Sequence, residues 1–176
     1  MKTNKIRSIA LSAIIAALYA ALTVALAPIS FGAFQLRISE GLNLIAFFLP
    51  EAIPGLAIGC IIANLLGGGV LADIIVGSLA TLLAAYCCNK SRNLLTSGIY
   101  AVLFNTLLVA PIIVYYYMGG GGSEVYLGYM AVFALCEAVS VYVVGVPLAL
   151  GIKKALKLQK PVFNRKTTDV RSETNI

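Results

Sequence analysis

Few residues in this 176-residue chain can do chemistry, and most of those interrupt apolar sequence. Asn64, Asn105 and Glu137 stand inside long hydrophobic runs. Arg37 and Glu40 lie three apart, just after Phe34 and Gln35, and Asp73 follows the run Gly67-Gly68-Gly69. There is no histidine and no Cys-x-x-Cys, so no conventional zinc or redox site can be assembled. An ionisable side chain at membrane depth is expensive and faces a cavity or a partner. Glu137 falls about ten residues into the last apolar run, near mid-depth at roughly 1.5 Å per residue. Such a carboxyl either contacts a substrate or, protonated or internally paired, holds helices together. Asn64 and Asn105 offer donors and acceptors that suit a ligand or an interhelical bond equally. On one helical turn Arg37 and Glu40 would share a face and could pair. Asp73 is placed to cap a helix starting there. Glu51, between Pro50 and Pro54, belongs to the opposite turn, where it would stabilise the next helix or touch a partner.

The elements that position these groups are membrane helices. Hydrophobic residues make up 60% of the chain and charged ones 11%, with mean hydropathy +0.95; soluble domains have about 45–50% and about 25%. Apolar segments cover residues 6–27, 42–49, 52–66, 70–88, 94–118 and 127–150. Pro50 and Pro54 break the second from the third, because proline lacks a donor and clashes with the preceding turn. The net charge of +6 sits mostly at the chain ends and in the Lys90–Arg92 turn, so it reports orientation rather than nucleic-acid binding. Six crossings with both termini cytoplasmic put these basic residues inside and leave only Arg37 outside; five crossings would oppose the positive-inside rule. The expected fold is therefore an all-α integral membrane protein. Residues 1–157 would form a six-helix membrane domain, and residues 158–176 a basic, disordered cytoplasmic tail. The first apolar run is too long for a signal-peptide core and reads as a retained helix.

Outer connections fall at 28–40, 67–69 and 119–126. The glycines at 119–122 read as a connector, since no Lys-Ser or Lys-Thr follows to make a P-loop. Ala13, Ala17 and Ala21 recur every four residues beside Ala16 and Ala20, a smooth stripe for internal packing or for docking on another membrane subunit. Cys60, Cys87, Cys88 and Cys136 read as small apolar side chains, and Tyr115, Tyr116 and Tyr117 as an aromatic belt.

The segments Ala27-Pro28-Ile29-Ser30-Phe31-Gly32, Gln35-Leu36-Arg37-Ile38-Ser39-Glu40, Pro50-Glu51-Ala52-Ile53-Pro54-Gly55, Gly59-Cys60-Ile61-Ile62-Ala63-Asn64 and Asp73-Ile74-Ile75-Val76-Gly77-Ser78-Leu79-Ala80-Thr81 closely resemble the QueT-type queuosine-precursor transporter family. The likeness extends to about Lys157. It implies a substrate-binding (S) component of an energy-coupling factor (ECF) transporter in the cell membrane, which captures its ligand on the extracytoplasmic side. A transmembrane coupling subunit and two ATPases would supply the power. No cofactor is expected in this chain; ATP would be used by the partners. In such components the small-residue face of the first helix contacts the coupling subunit, which here means Ala13, Ala17 and Ala21.

The implied cargo is a 7-deazaguanine, bearing a cyano or aminomethyl arm, or queuine. Side-chain chemistry then suggests roles. Glu137 or Glu40 would accept the N1 hydrogen and exocyclic amine, while Arg37, Gln35, Asn64 or Asn105 would donate to the carbonyl. Phe34 would stack on the ring, and Asp73 is available for an aminomethyl cation. Two alternatives stand beside this: an S component for a vitamin or other purine-like base, and a small membrane enzyme or assembly factor using Glu137.

Overall fold

The computed structural model describes residues 2–31 and 35–158. The chain runs through α1 (Lys2–Ala25), a one-turn α2 (Ala27–Ser30), a 3-10 segment (Ile38–Phe47) and α3 (Ala52–Leu66). A π-helical turn (Asp73–Gly77) leads into α4 (Ser78–Lys90), followed by α5 (Leu94–Tyr117) and α6 (Ser123–Ala138). A second π-helical segment (Val139–Gly145) continues into α7 (Val146–Ala155). No strand occurs among the described residues. Phe34 and residues 159–176, where the ring-stacking contact and most of the tail were expected, lie outside the described residues.

Three helices, Lys5–Ala25, Leu94–Tyr117 and Ser123–Ala155, are long and apolar enough to cross a membrane, and Ile38–Phe47 and Ala52–Leu66 are shorter apolar helices. Their outer surface is hydrophobic: Leu65, Leu66, Leu71, Leu127, Leu135 and Val143 are 60–70% exposed. Exposed apolar surface on this scale requires lipid or protein to cover it. This is a membrane protein.

The break at Pro50 falls where the sequence places it. Ala52 and Ile53 donate to the carbonyls of Leu49 and Pro50 (3.0 and 3.1 Å), closing a turn. Pro54 then sits in the first turn of α3, where a missing N–H costs nothing. The segment before the turn is less ordinary. 3-10 runs beyond three or four residues are uncommon, yet this one has ten, with Ser39 through Phe47 all buried. At about 2.0 Å per residue it covers about 20 Å, close to the roughly 22 Å of the longer α3. Its neighbours hold it there. A Cβ on Gly41 would lie 2.7 Å from the Ser140 carbonyl, and one on Gly145 would lie 2.6 Å from the Gly41 carbonyl. The tight segment and the wide π segment thus meet backbone to backbone through two glycines.

Helices α1 and α3 approach in the same way. A Cβ on Gly55 would lie 2.6 Å from the Ser12 carbonyl, and one on Gly59 would lie 2.8 Å from both the Ala16 carbonyl and the Tyr19 Cβ. Ala16 and Ala20 are buried in this contact region, whereas Ala13, Ala17 and Ala21 are exposed. Internal packing therefore belongs to the neighbouring alanines, and the stripe itself stays uncovered. At the other end of the bundle α6 begins at Ser123, which shortens the expected 119–126 connection. Gly119 and Gly120 turn the chain there with φ of 77° and 79°, a region that favours glycine. All four cysteines are free thiols.

Candidate functional site

Two buried polar layers cross the bundle. The first is centred on Glu40, 1% exposed. Its Oε1 accepts from the Tyr19 hydroxyl and from Thr81 Oγ1 at 3.3 Å. Its Oε2 accepts from Asn43 Nδ2 at 2.5 Å and Asn105 Nδ2 at 3.0 Å. The same Asn105 nitrogen donates to Glu137 Oε1 at 2.6 Å, so one amide bridges two carboxyl groups. These six residues come from α1, the 3-10 segment, α4, α5 and α6, and the layer exists only when those elements pack. Beside it the Thr23 and Ser39 hydroxyls share a hydrogen bond of 2.6 Å.

The second layer gathers Arg37, Asn64, Asp73 and Tyr117. Arg37 Nη2 donates to Asn64 Oδ1 at 2.8 Å, and its guanidinium lies 5.3 Å from the centre of the Phe31 ring. Asn64 Nδ2 donates to the Asp73 carbonyl at 3.1 Å. The Tyr117 hydroxyl donates to Asp73 Oδ2 at 2.5 Å and accepts from the Val70 amide at 3.2 Å.

Two of the simple pairings suggested by spacing are not what forms. Arg37 is the extended N-cap (φ −89°, ψ 93°) of the 3-10 segment, and although the Glu40 amide donates to its carbonyl at 3.0 Å, the two side chains diverge. It turns to Asn64 while Glu40 collects hydroxyl and amide donors. Asp73 is not a helix cap either. Its amide already donates to the Val70 carbonyl, and its carboxylate receives Tyr117. Tyr117 is accordingly more than a belt residue. Glu51 stays apart from both layers, as its turn implied: Ser8 Oγ donates to Glu51 Oε1 at 3.2 Å and Ser12 Oγ to its carbonyl at 2.7 Å, tying the start of α3 to α1.

The two glutamates differ in what they have left to offer. Glu40 is satisfied on both oxygens by four donors. Glu137, also 1% exposed, receives Asn105 on Oε1, and its other oxygen has no hydrogen-bond partner among the described residues. Fully buried atoms without a partner include Gln35 Oε1, Arg37 Nε, Asp73 Oδ1, Thr106 Oγ1 and the Tyr129 hydroxyl. Buried polar atoms are normally hydrogen-bonded, and orphans need an explanation such as a ligand or water. Carboxylate oxygens, a guanidinium and amides within one buried region can recognise a flat, multiply hydrogen-bonding molecule. Among the described residues no group of three or more Cys, Asp or Glu side chains could hold a metal ion.

The sequence reading missed Tyr19, Thr23, Ser39, Asn43, Thr81 and Tyr129. Tyr19 and Thr23 are four apart on α1, and Asn43 is three beyond Glu40, so a search for polar i, i+3 and i, i+4 pairs inside apolar runs would have found them. Away from both layers, a groove of about 750 Å³ lies between α1 and α3, lined in part by Ser12, Ala13, Ala17, Glu51, Pro54 and Ile58.

Residues 9–154 match the family model for the QueT transporter. The chain is also 46% identical over 84 residues to the queuosine precursor transporter QueT of Lactococcus lactis subsp. cremoris (strain MG1363). That alignment covers 47% of this chain and 49% of the relative, so the match spans about half the length of each. No solved structure matches the chain.

Proposed function

The chain belongs to the QueT transporter family, whose members are transporters and not enzymes, and from this premise we propose that it is the substrate-binding subunit of an ECF-type uptake system. Its cargo is a 7-deazaguanine queuosine precursor, captured at the extracytoplasmic face. One observation supports this reading above the others: five elements of an apolar-surfaced bundle converge to bury Glu40, Asn105 and Glu137 together. An ionisable group buried within a membrane bundle marks a candidate functional site.

In this reading the free Glu137 oxygen accepts from the guanine-like edge, and Glu40 holds Asn105 in place. Arg37 and Gln35 serve the carbonyl edge as donors, and Asn64, whose amide hydrogens are taken by the Asp73 carbonyl and Cys60 Sγ, holds Arg37 in place. Six crossings with both termini cytoplasmic place Arg37 and Asp73 on the outer side and the Lys90–Arg92 turn on the inner side. The test of cargo is native mass spectrometry of the purified chain against a panel of deazaguanines and vitamins. One deazaguanine bound per chain without ATP is the expected result. Binding only of a vitamin, or of another purine-like base, would redirect the assignment.

The partner in this reading is a transmembrane coupling subunit, with two ATPases behind it that consume the ATP. Ala13, Ala17 and Ala21 are exposed, and the first two line the α1–α3 groove, which suits the close approach of a partner helix. Replacing Ala13 and Ala17 together by leucine is expected to abolish copurification with the coupling subunit while ligand affinity stays within about twofold. Retained copurification would remove the stripe from the interface.

A further inference from the structure

Acidic groups outnumber basic ones in the buried interior of this protein. Among the described residues, the charged side chains buried in the bundle are Arg37, Glu40, Asp73 and Glu137, which are 5%, 1%, 4% and 1% exposed. That is one basic group against three acidic ones. A buried charge is tolerated when it is paired and hydrogen-bonded. Glu40 meets this condition through its four donors. Asp73 does not. Tyr117 serves its Oδ2, while Oδ1 is buried with no partner. Arg37 helps only indirectly, because its guanidinium is bonded to Asn64.

Two further orphans can also accept, while Arg37 Nε remains an unpaired donor in this layer. The Tyr129 hydroxyl is buried, unpaired and within electrostatic range of both Arg37 and Asp73. Gln35, two residues before Arg37, buries an unpaired Oε1 at 6% exposure. A carboxylate oxygen, an amide oxygen and a phenol all accept hydrogen bonds. An ammonium group supplies three donors and the missing positive charge at one point.

Resting on the deazaguanine reading above, we infer that the Asp73 end of the site is an ammonium subsite, so that the protein selects precursors whose seven-position arm carries a protonated amine. Asp73 Oδ1 takes the charge-assisted bond, with Gln35 Oε1 and the Tyr129 hydroxyl as the other acceptors. The guanine-like edge is left to Glu137. A neutral nitrile arm offers no donor to these acceptors and leaves Asp73 Oδ1 buried and unpaired.

The experiment is calorimetric titration of the purified full chain with 7-aminomethyl-7-deazaguanine and with 7-cyano-7-deazaguanine, for the wild type and Asp73→Asn. The wild type is expected to bind the aminomethyl compound about tenfold or more tighter, the scale of a hydrogen bond to a charged group. In Asp73→Asn the ratio of the two dissociation constants is expected to collapse toward one. Equal wild-type affinities, or a preference for the nitrile, overturn the inference by themselves and leave the deazaguanine reading standing. Binding of neither compound overturns both. Should Asp73→Asn fail to fold, the wild-type ratio still decides; should it fold and keep the wild-type ratio, Asp73 is not the amine's partner and the inference fails.

Discussion

Glu137→Gln is expected to weaken deazaguanine binding by roughly 100-fold while leaving the fold intact. The substitution preserves shape, and the new amide can still turn its oxygen toward Asn105 Nδ2, the donor now at 2.6 Å. Its nitrogen then points where the free carboxylate oxygen was. A guanine-like edge presents two donors to that position, so a charge-assisted contact becomes donor against donor. Losing one hydrogen bond to a charged group costs about 1.5–3 kcal/mol, or roughly 10- to 150-fold in affinity. Titration calorimetry reads the affinity, and thermal unfolding in detergent confirms that the variant is folded. Wild-type affinity in a folded Glu137→Gln protein would remove Glu137 from the site and make it a helix-holding carboxyl.

The second large effect belongs to Glu40 and is on stability. Glu40→Ala would strand the Tyr19 hydroxyl, the Asn43 amide and one hydrogen of the Asn105 amide, while Thr81 Oγ1 keeps the Gly77 carbonyl at 3.0 Å and Asn105 keeps Glu137. Removing one member of a buried charged network costs about 3–5 kcal/mol. Glu40→Gln should cost less, about 1–2 kcal/mol. Its amide nitrogen can face Tyr19 and Thr81, whose hydroxyls rotate to accept, while its oxygen still serves Asn43 and Asn105. Thermal unfolding should therefore rank wild type, Glu40→Gln and Glu40→Ala in descending order by a wide margin. An alanine variant as stable as the wild type would show that the layer does not hold the bundle together. A glutamine variant no more stable than alanine would show that the negative charge itself is required.

The contrast between these two glutamates marks the limit of what one-dimensional reading could do. Glu137 reads as an acid inside an apolar run and Glu40 as one at the end of the 28–40 connection, and the sequence offers both to the same edge of the ligand. Their difference lies in their partners. Thr81 and Asn105 reach Glu40 from 41 and 65 positions along the chain, and no local pattern encodes such contacts. Arg37 and Glu40 illustrate the converse error. A spacing of three implies pairing only if the residues share a helix, and the extended backbone at Arg37 sends the two side chains into different layers. The alanine stripe was legible as a smooth face, but which of the two adjacent rows packs inward depended on where Gly55 and Gly59 of α3 make room.

By itself the sequence determined the solvent of this protein and its punctuation. Hydropathy is a sum over neighbours in the chain, so the apolar segments, the break at Pro50 and the presence of Asn64, Asn105 and Glu137 inside apolar runs could be read directly. The tertiary structure alone decided the 3-10 and π geometry where Gly41 meets Gly145, and the choice of which acid is saturated and which is open. Those outcomes depend on backbones and hydrogen-bond donors brought together from distant elements. They come into being only when the helices pack.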